Sequence, residues 1–261
     1  MKKTRIDLLI FERGLAESRS MAQRLVMAGQ VRVGGQIVDK PGAQVASSAE
    51  ITIDHGPRFV SRGGEKLAAG LEHFAIEVDG KTCADVGAST GGFTDCLLQH
   101  GAARVYAIEV GKGILHWKIR QDRRVTVLES TNARYLESLP EPVEMVTVDA
   151  SFISLKALIP VMKNWLPEKG GEMIALIKPQ FEAGRKQVSR GKGVIRDPDV
   201  HRSVLTDILE FALQEGFDLQ GLIQSPLQGP KGNVEFVAYL TYPGKNTKDA
   251  KELVNEVIGG I

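Results

Sequence analysis

A regular alternation that begins near residue 61 narrows the possible folds most. The apolar, β-branched segments KTCADVG, ARVYAIEV, VTVLES, EMVTVDA, GEMIALIKP and NVEFVAYL have strand character, and stretches of helical spacing lie among them at residues 64–74, 91–100, 152–165 and 199–215. Strands that are apolar along their whole length must be covered on both faces, and helices between them supply that cover. The pattern predicts an α/β fold, a mostly parallel sheet flanked by helices.

The first residues read differently. IDLLIFERG has helical spacing and stops at Gly14, and Ser18 is placed to cap a second helix with Met21, Leu25 and Ala28 on one face. VRVGGQIVDK alternates around Gly34-Gly35, a hairpin signature; Pro41-Gly42 makes a turn and AEITI a closing strand. The expected organisation is a small α+β domain at 1–55, a linker at 56–61, a large domain at 62–245 and a C-terminal helix or tail at 246–261. Charge is split unevenly. Residues 1–60 carry nine Lys+Arg against six Asp+Glu, whereas residues 61–261 carry 24 against 26. A basic excess on the small domain hints at an anionic partner.

Composition removes several classes. With 43% hydrophobic and 25% charged residues the chain is an ordinary globular one. No apolar run reaches the roughly 18 residues a membrane span needs. Asp7 and Glu12 interrupt the apolar start, so no secretory signal is expected and the protein is placed in the cytoplasm. Cys83 and Cys96 form no disulfide framework and are expected to be buried, and the histidines lack metal-ligand spacing, so no metal is expected. Trp117 and Trp165 are expected in the core.

Three patterns carry chemistry. DVGASTGGF, residues 85–93, follows a strand and opens a helix, so Gly87, Gly91 and Gly92 allow a tight turn and close approach of a ligand to free N–H groups. Glu109 ends the next strand, where a carboxylate can accept from both hydroxyls of a ribose. The third glycine of the dinucleotide pattern is missing, which suits a nucleoside without pyrophosphate, S-adenosylmethionine being the common one; a plain βα turn beside a solvent-facing Glu is the alternative. Asp149 and Lys178 close two strands and Glu235 lies within NVEFVAYL, so in a parallel sheet Asp149 and Lys178 border the ligand crevice. Lys66 opens the first helix of the large domain. A Lys beside a second Lys and two carboxylates is a tunable base, although a Lys at a strand end also snorkels to solvent. Finally FEAGRKQVSRGKGVIRDP places Arg185, Lys186, Arg190, Lys192 and Arg196 in one stretch, either a phosphate-neutralising loop or a solvated one.

DVGASTGGFTDCLLQHGAARVYAIEVG, LESTNAR, VDASFISL, IKPQFEAGR, GVIRDP and GPKGNVEF resemble the TlyA (haemolysin-A type) ribosomal RNA methyltransferases. The large domain is similar to the FtsJ/RrmJ class of 2′-O-methyltransferases. Residues 5–53 resemble the RNA-binding domain first described in small-subunit ribosomal protein four. The resemblance implies a Rossmann-like, seven-stranded methyltransferase domain and S-adenosylmethionine-dependent methylation of cytidine 2′-hydroxyls in ribosomal RNA. It implies a catalytic tetrad on Lys66, Asp149, Lys178 and Glu235. Cofactor contacts would fall on Asp85, Gly87, Ala88, Ser89, Thr90, Gly91, Glu109, Asn132 and Ala133. The acid on the ribose is usually Asp in the family, and Glu109 is one methylene longer. RNA contacts are expected from Arg5, Arg19, Arg62, Arg185, Lys186, Arg190, Lys192 and Arg196, with ribosomal RNA or a ribosomal subunit as partner and a monomer or weak oligomer as the acting species. Three rival functions stand beside this one: an oxidoreductase using a dinucleotide on the same sheet, which the missing third glycine disfavours; a non-catalytic RNA-binding or assembly factor; and membrane lysis, for which no strongly amphipathic helix is evident.

Overall fold

The computed structural model describes residues 3–54, 56–184, 188–189, 191–245 and 248–259. Contacts divide the chain into two compact units, Met1–Arg58 and Phe59–Ile261.

The small unit runs β1 (Lys3–Arg5), α1 (Ile6–Glu12), α2 (Arg19–Met27), β2 (Val31–Val33), β3 (Gln36–Ile37), β4 (Gln44–Ala46) and β5 (Ile51–Ile53). β2 is the centre of a three-stranded antiparallel sheet with β3 and β5, and β1 pairs with β4. Ser18 Oγ accepts the Met21 N–H at 3.2 Å, the expected cap. Gly34 and Gly35 turn the hairpin with φ of +56° and +83°. The buried face of α2 differs from the expected one. Ala22, Leu25 and Val26 pack on Ile6, Ile10 and Val31, while Met21 and Ala28 are exposed. This stripe hides the branched Val26, which a face built on Ala28 would leave in water.

The large unit contains α3 (Gly63–His73), β6 (Thr82–Val86), α4 (Gly92–Gln99), β7 (Arg104–Ile108), α5 (Trp117–Arg120), β8 (Val125–Leu128), β9 (Met145–Val148), α6 (Ile159–Lys163), β10 (Gly171–Ile177), α7 (Pro179–Glu182), α8 (Pro198–Gln214), β11 (Asp218–Gln224), β12 (Phe236–Tyr242) and α9 (Ala250–Gly259). Its seven-stranded sheet has the order β11-β12-β10-β9-β6-β7-β8, parallel from β10 to β8, with β12 antiparallel to both neighbours. Alternate side chains serve opposite faces. On β10, Met173, Ala175 and Ile177 join the core that includes α6, α8 and α9, whereas Ile174 and Leu176 join the core beneath α3 and α4.

Several expectations change here. β11 carries Gln220, Gly221 and Gln224 and slips register between Leu219 and Gly221, so it lacks the apolar run of the inner strands; it is an edge strand paired with β12 alone. Glu235 stands just before β12, not inside it. Residues 152–165 break into a 3-10 turn, Leu155–Ala157, and the short α6. Phe59 and Val60 belong to the large unit: Phe59 is buried, and the Val60 N–H donates to Asp95 at 2.9 Å. Trp165 is buried, but Trp117 is 66% exposed. Cys83 and Cys96 are buried thiols. Among the described residues no helix is long and apolar enough to cross a membrane.

Candidate active site

From β6 the chain builds outward to β7 and β8, then returns to build β9 and β10 on the other side. The carboxyl ends of β6 and β9 therefore flank a topological switch point, where a crevice is left uncovered. Gly87 follows β6 with φ +80°, and a Cβ there would stand 2.8 Å from the Asp149 carbonyl oxygen after β9. Only glycine makes this turn at this approach. Ser89 adopts φ +51°, and its N–H donates to Glu109 Oε2 at 2.8 Å while the Gly111 N–H donates to Oε1 at 2.8 Å. Each carboxylate oxygen keeps a further lone pair for a ligand hydroxyl.

Two cavities open on this crevice. One, of about 320 Å³, is lined by Gly87, Ser89, Glu109, Asn132, Ala133 and Asp149 with apolar walls from Val110, Ile153 and Leu158. The other, of about 340 Å³, is lined by Arg62, Lys66, Ala88, Thr90, Asp149 and Gly229. Gly87, Ser89 and Asp149 belong to both. Gly91 lines neither; it is the N-cap of α4, packed on Leu115 and Ile119. Asp85, expected as a cofactor contact, lines neither cavity. It has no exposed surface and faces the α4 side of the sheet, accepting from Thr94 Oγ1 at 2.6 Å and Thr147 Oγ1 at 3.3 Å. Burial pushes its pKa up to about 7, against the pull of those hydroxyls.

Four elements bring the two lysines and two carboxylates together. Lys66 Nζ from α3 meets Glu235 Oε2 at 2.5 Å. Lys178, at the end of β10, forms an ion pair with Asp149 and donates to Ser151 Oγ at 3.1 Å. Both lysines are 8% exposed and Glu235 only 1%. Burial raises the Asp149 pKa, and the Lys178 charge opposes that shift. Gly229 is required by proximity: a Cβ there would lie 1.9 Å from Glu235 Oε1. Gln180 Nε2 donates to that same oxygen at 3.2 Å, while Gln180 Oε1 is buried without a partner among the described residues. An unsatisfied buried acceptor costs about 1–3 kcal/mol.

Sequence reasoning misses the wall formed by residues 150–153, although VDASFISL carries part of the family resemblance. Phe152 lines the nucleoside-sized cavity, 90% exposed and at φ +64°, its ring 4.8 Å from that of Phe181. Glu182 secures this wall by accepting from Ser154 Oγ at 2.6 Å and the Leu155 N–H at 2.8 Å. Of the expected RNA contacts, Arg62 lines the second cavity, Lys192 and Arg196 are exposed, and Arg185, Lys186 and Arg190 lie outside the described residues. Arg5 and Arg19 have a structural duty the sequence did not reveal: both are paired with the buried Asp7, at 3.0 and 3.2 Å.

The FtsJ-like methyltransferase family matches residues 59–242, and the S4 domain family matches residues 4–51. The chain is 46% identical to YqxC of Bacillus subtilis, provisionally named an rRNA methyltransferase, over 98% of this chain and 92% of that one. It is 42% identical to the 16S/23S rRNA (cytidine-2′-O)-methyltransferase TlyA of Mycobacterium tuberculosis, over 98% and 96%. A solved structure from Streptococcus thermophilus, provisionally described as a hemolysin, has a TM-score of 0.75 and 42% identity, covering 100% of this chain and 96% of the other. With the glycine turn, the seven-stranded sheet and both family matches in agreement, the chain belongs to the TlyA family of FtsJ-like methyltransferases and carries an S4 domain ahead of its methyltransferase domain.

Proposed function

We propose that this protein methylates the 2′-hydroxyl of a cytidine in ribosomal RNA, with S-adenosylmethionine as donor. The observation that carries the reading is the convergence of Lys66, Asp149, Lys178 and Glu235 where the two cavities share Gly87, Ser89 and Asp149. The donor set of the first cavity fits the cofactor. Glu109 offers free lone pairs to ribose hydroxyls, Asn132 and Ala133 stand beside it, and the apolar walls suit an adenine. When bound, S-adenosylmethionine supplies an electrophilic methyl group on a sulfonium.

Lys178 is the base in this scheme. Lys178 would take the 2′-hydroxyl proton as the oxygen attacks the methyl group that the bound donor would supply. Asp149 orients Lys178, and Lys66, held by Glu235, faces the developing oxyanion from the second cavity. Attack in line with the departing sulfur depends chiefly on positioning. The S4 domain and the cations Arg5, Arg19, Arg62, Arg185, Lys186, Arg190, Lys192 and Arg196 serve phosphate contact, with Arg5 and Arg19 doing so from the faces Asp7 leaves free. The expected working form is a cytoplasmic monomer or weak oligomer on a ribosomal subunit.

The test is to incubate the purified full chain with methyl-labelled S-adenosylmethionine and ribosomal subunits, then map ribose methylation by mass spectrometry. Label on a cytidine ribose is expected. Label on a base, or none on RNA, would overturn the reading.

A further inference from the structure

We infer that Gln180 is a positioning residue of this site, holding Glu235, and through it Lys66, in the arrangement that methyl transfer uses; the inference rests on the function proposed above. Gln180 lies in the four-residue α7 directly after Lys178, and it is 8% exposed. The two oxygens of the Glu235 carboxylate are divided between two holders. Oε2 takes the Lys66 ammonium at 2.5 Å, and Oε1 takes the Gln180 amide N–H at 3.2 Å. Gly229 closes on Oε1 from the β12 side, where even a Cβ would collide. The charged groups around Glu235 are Lys66 from α3 and, farther off, Asp149 after β9 with its partner Lys178.

The orientation of the amide is not free. A carboxylate only accepts, so the Gln180 NH₂ must face Glu235. Turning the amide over would set oxygen against oxygen and strand the NH₂ as well. In the orientation the structure has, the Gln180 oxygen is buried with no hydrogen-bond partner among the described residues. A methionine here would fill nearly the same volume and remove the orphaned oxygen, but it would strip the buried Glu235 Oε1 of its N–H donor, so the amide is kept for what it does to that carboxylate. A buried polar group that costs stability while gripping a single carboxylate beside a cavity points to a task in the site.

Stability and activity should therefore separate. In the full-length protein, Gln180→Met should lower kcat for transfer to ribosomal RNA by about 10- to 100-fold, the worth of a hydrogen bond to a charged group. Its Tm should change by only a few degrees, because the orphaned amide oxygen goes as Glu235 Oε1 loses its donor; its Kd for S-adenosylmethionine, measured by calorimetry, should stay within about threefold because Gln180 lines neither cavity. Gln180→Glu sets one carboxylate against another. It should be slower still at neutral pH, and its rate relative to wild type at the same pH should recover in part as pH falls, because a proton shared between the two restores a donor. An active wild type with an equally active Gln180→Met would overturn the role of Gln180 alone. So would a loss of activity that vanishes once rates are taken per folded molecule, since that marks Gln180 as ordinary structure. A wild type that transfers no methyl to RNA would overturn the functional reading, and this inference with it.

Discussion

The two units each bury a carboxylate cluster, and the clusters differ in kind. In the small unit Asp7 has no exposed surface and is saturated: Arg5 grips it through two nitrogens at 3.0 Å, and Arg19, Gln23 and the Leu8 N–H complete its shell. Its arginines keep roughly half of their side chains in water, and the Arg5 hydrogen bonds hold its carboxyl well below the usual range. In the large unit both lysines are buried along with Glu235, Asp149 is half-buried, the cluster borders a cavity, and one neighbouring amide oxygen is unpaired among the described residues. A saturated cluster stabilises its fold. An unsaturated one at a cavity wall holds charge ready for a ligand, at a cost to stability.

The largest effect that would break this contrast is on chemistry. Lys178→Ala should reduce methyl transfer by about 10²-fold or more, the range of general-base contributions. Lys178→Arg should be nearly as damaging, because guanidinium does not give up its proton near neutral pH. Initial rates with labelled donor measure both, and a rate within a few-fold of wild type would remove Lys178 from the mechanism. Next comes cofactor affinity. Glu109→Ala should weaken S-adenosylmethionine by about 1.5–3 kcal/mol in calorimetry, with Glu109→Asp mild; unchanged binding would mean that the glycine turn and this acid do not share a ligand.

Asp7→Asn should leave kcat alone and lower the unfolding midpoint of the small unit, roughly 4–8 °C for each kcal/mol lost. The Asp7 pKa is lower folded than unfolded, so its stabilisation is complete above about pH 4 and lost as pH falls further. Calorimetry between pH 3 and 6 should show an acid limb that the variant lacks. Loss of turnover at saturating RNA would show that this cluster is not merely structural. The smallest effect concerns Asp85, whose pKa is raised on folding to about 7. From about pH 4 to 7 the folded state keeps a proton the unfolded chain has released, so stability falls as pH rises, by at most about 1.4 kcal/mol per pH unit. Asp85→Asn should flatten that slope in urea melts, and an unchanged slope would assign it to other groups.

The sequence pattern makes much of the fold legible, for local reasons. The inner strands announce themselves because burial on both faces demands an unbroken apolar run, as in β10; β11, an edge strand with glutamines, escapes notice. Trp117 was misjudged because hydrophobicity sets a tendency to be buried, and only packing decides whether room exists. The offset of Glu109 from Gly87, the strand-end positions of Asp149 and Lys178, and the family resemblance could all be read along one dimension.

Pairing could not. Which lysine meets which carboxylate spans 169 residues for Lys66 and Glu235, and depends on α3 and the loop before β12 arriving at one point. The same holds for Gln180, which reads as an unremarkable polar residue until Glu235 is found 55 positions away against its amide. Local chemistry along the chain sets element type and the kinds of side chain available, because propensity, turns and periodicity act over a few residues. Burial, partner choice and the shared edge of two cavities arise only once distant elements pack, since each depends on what excludes water from a given atom.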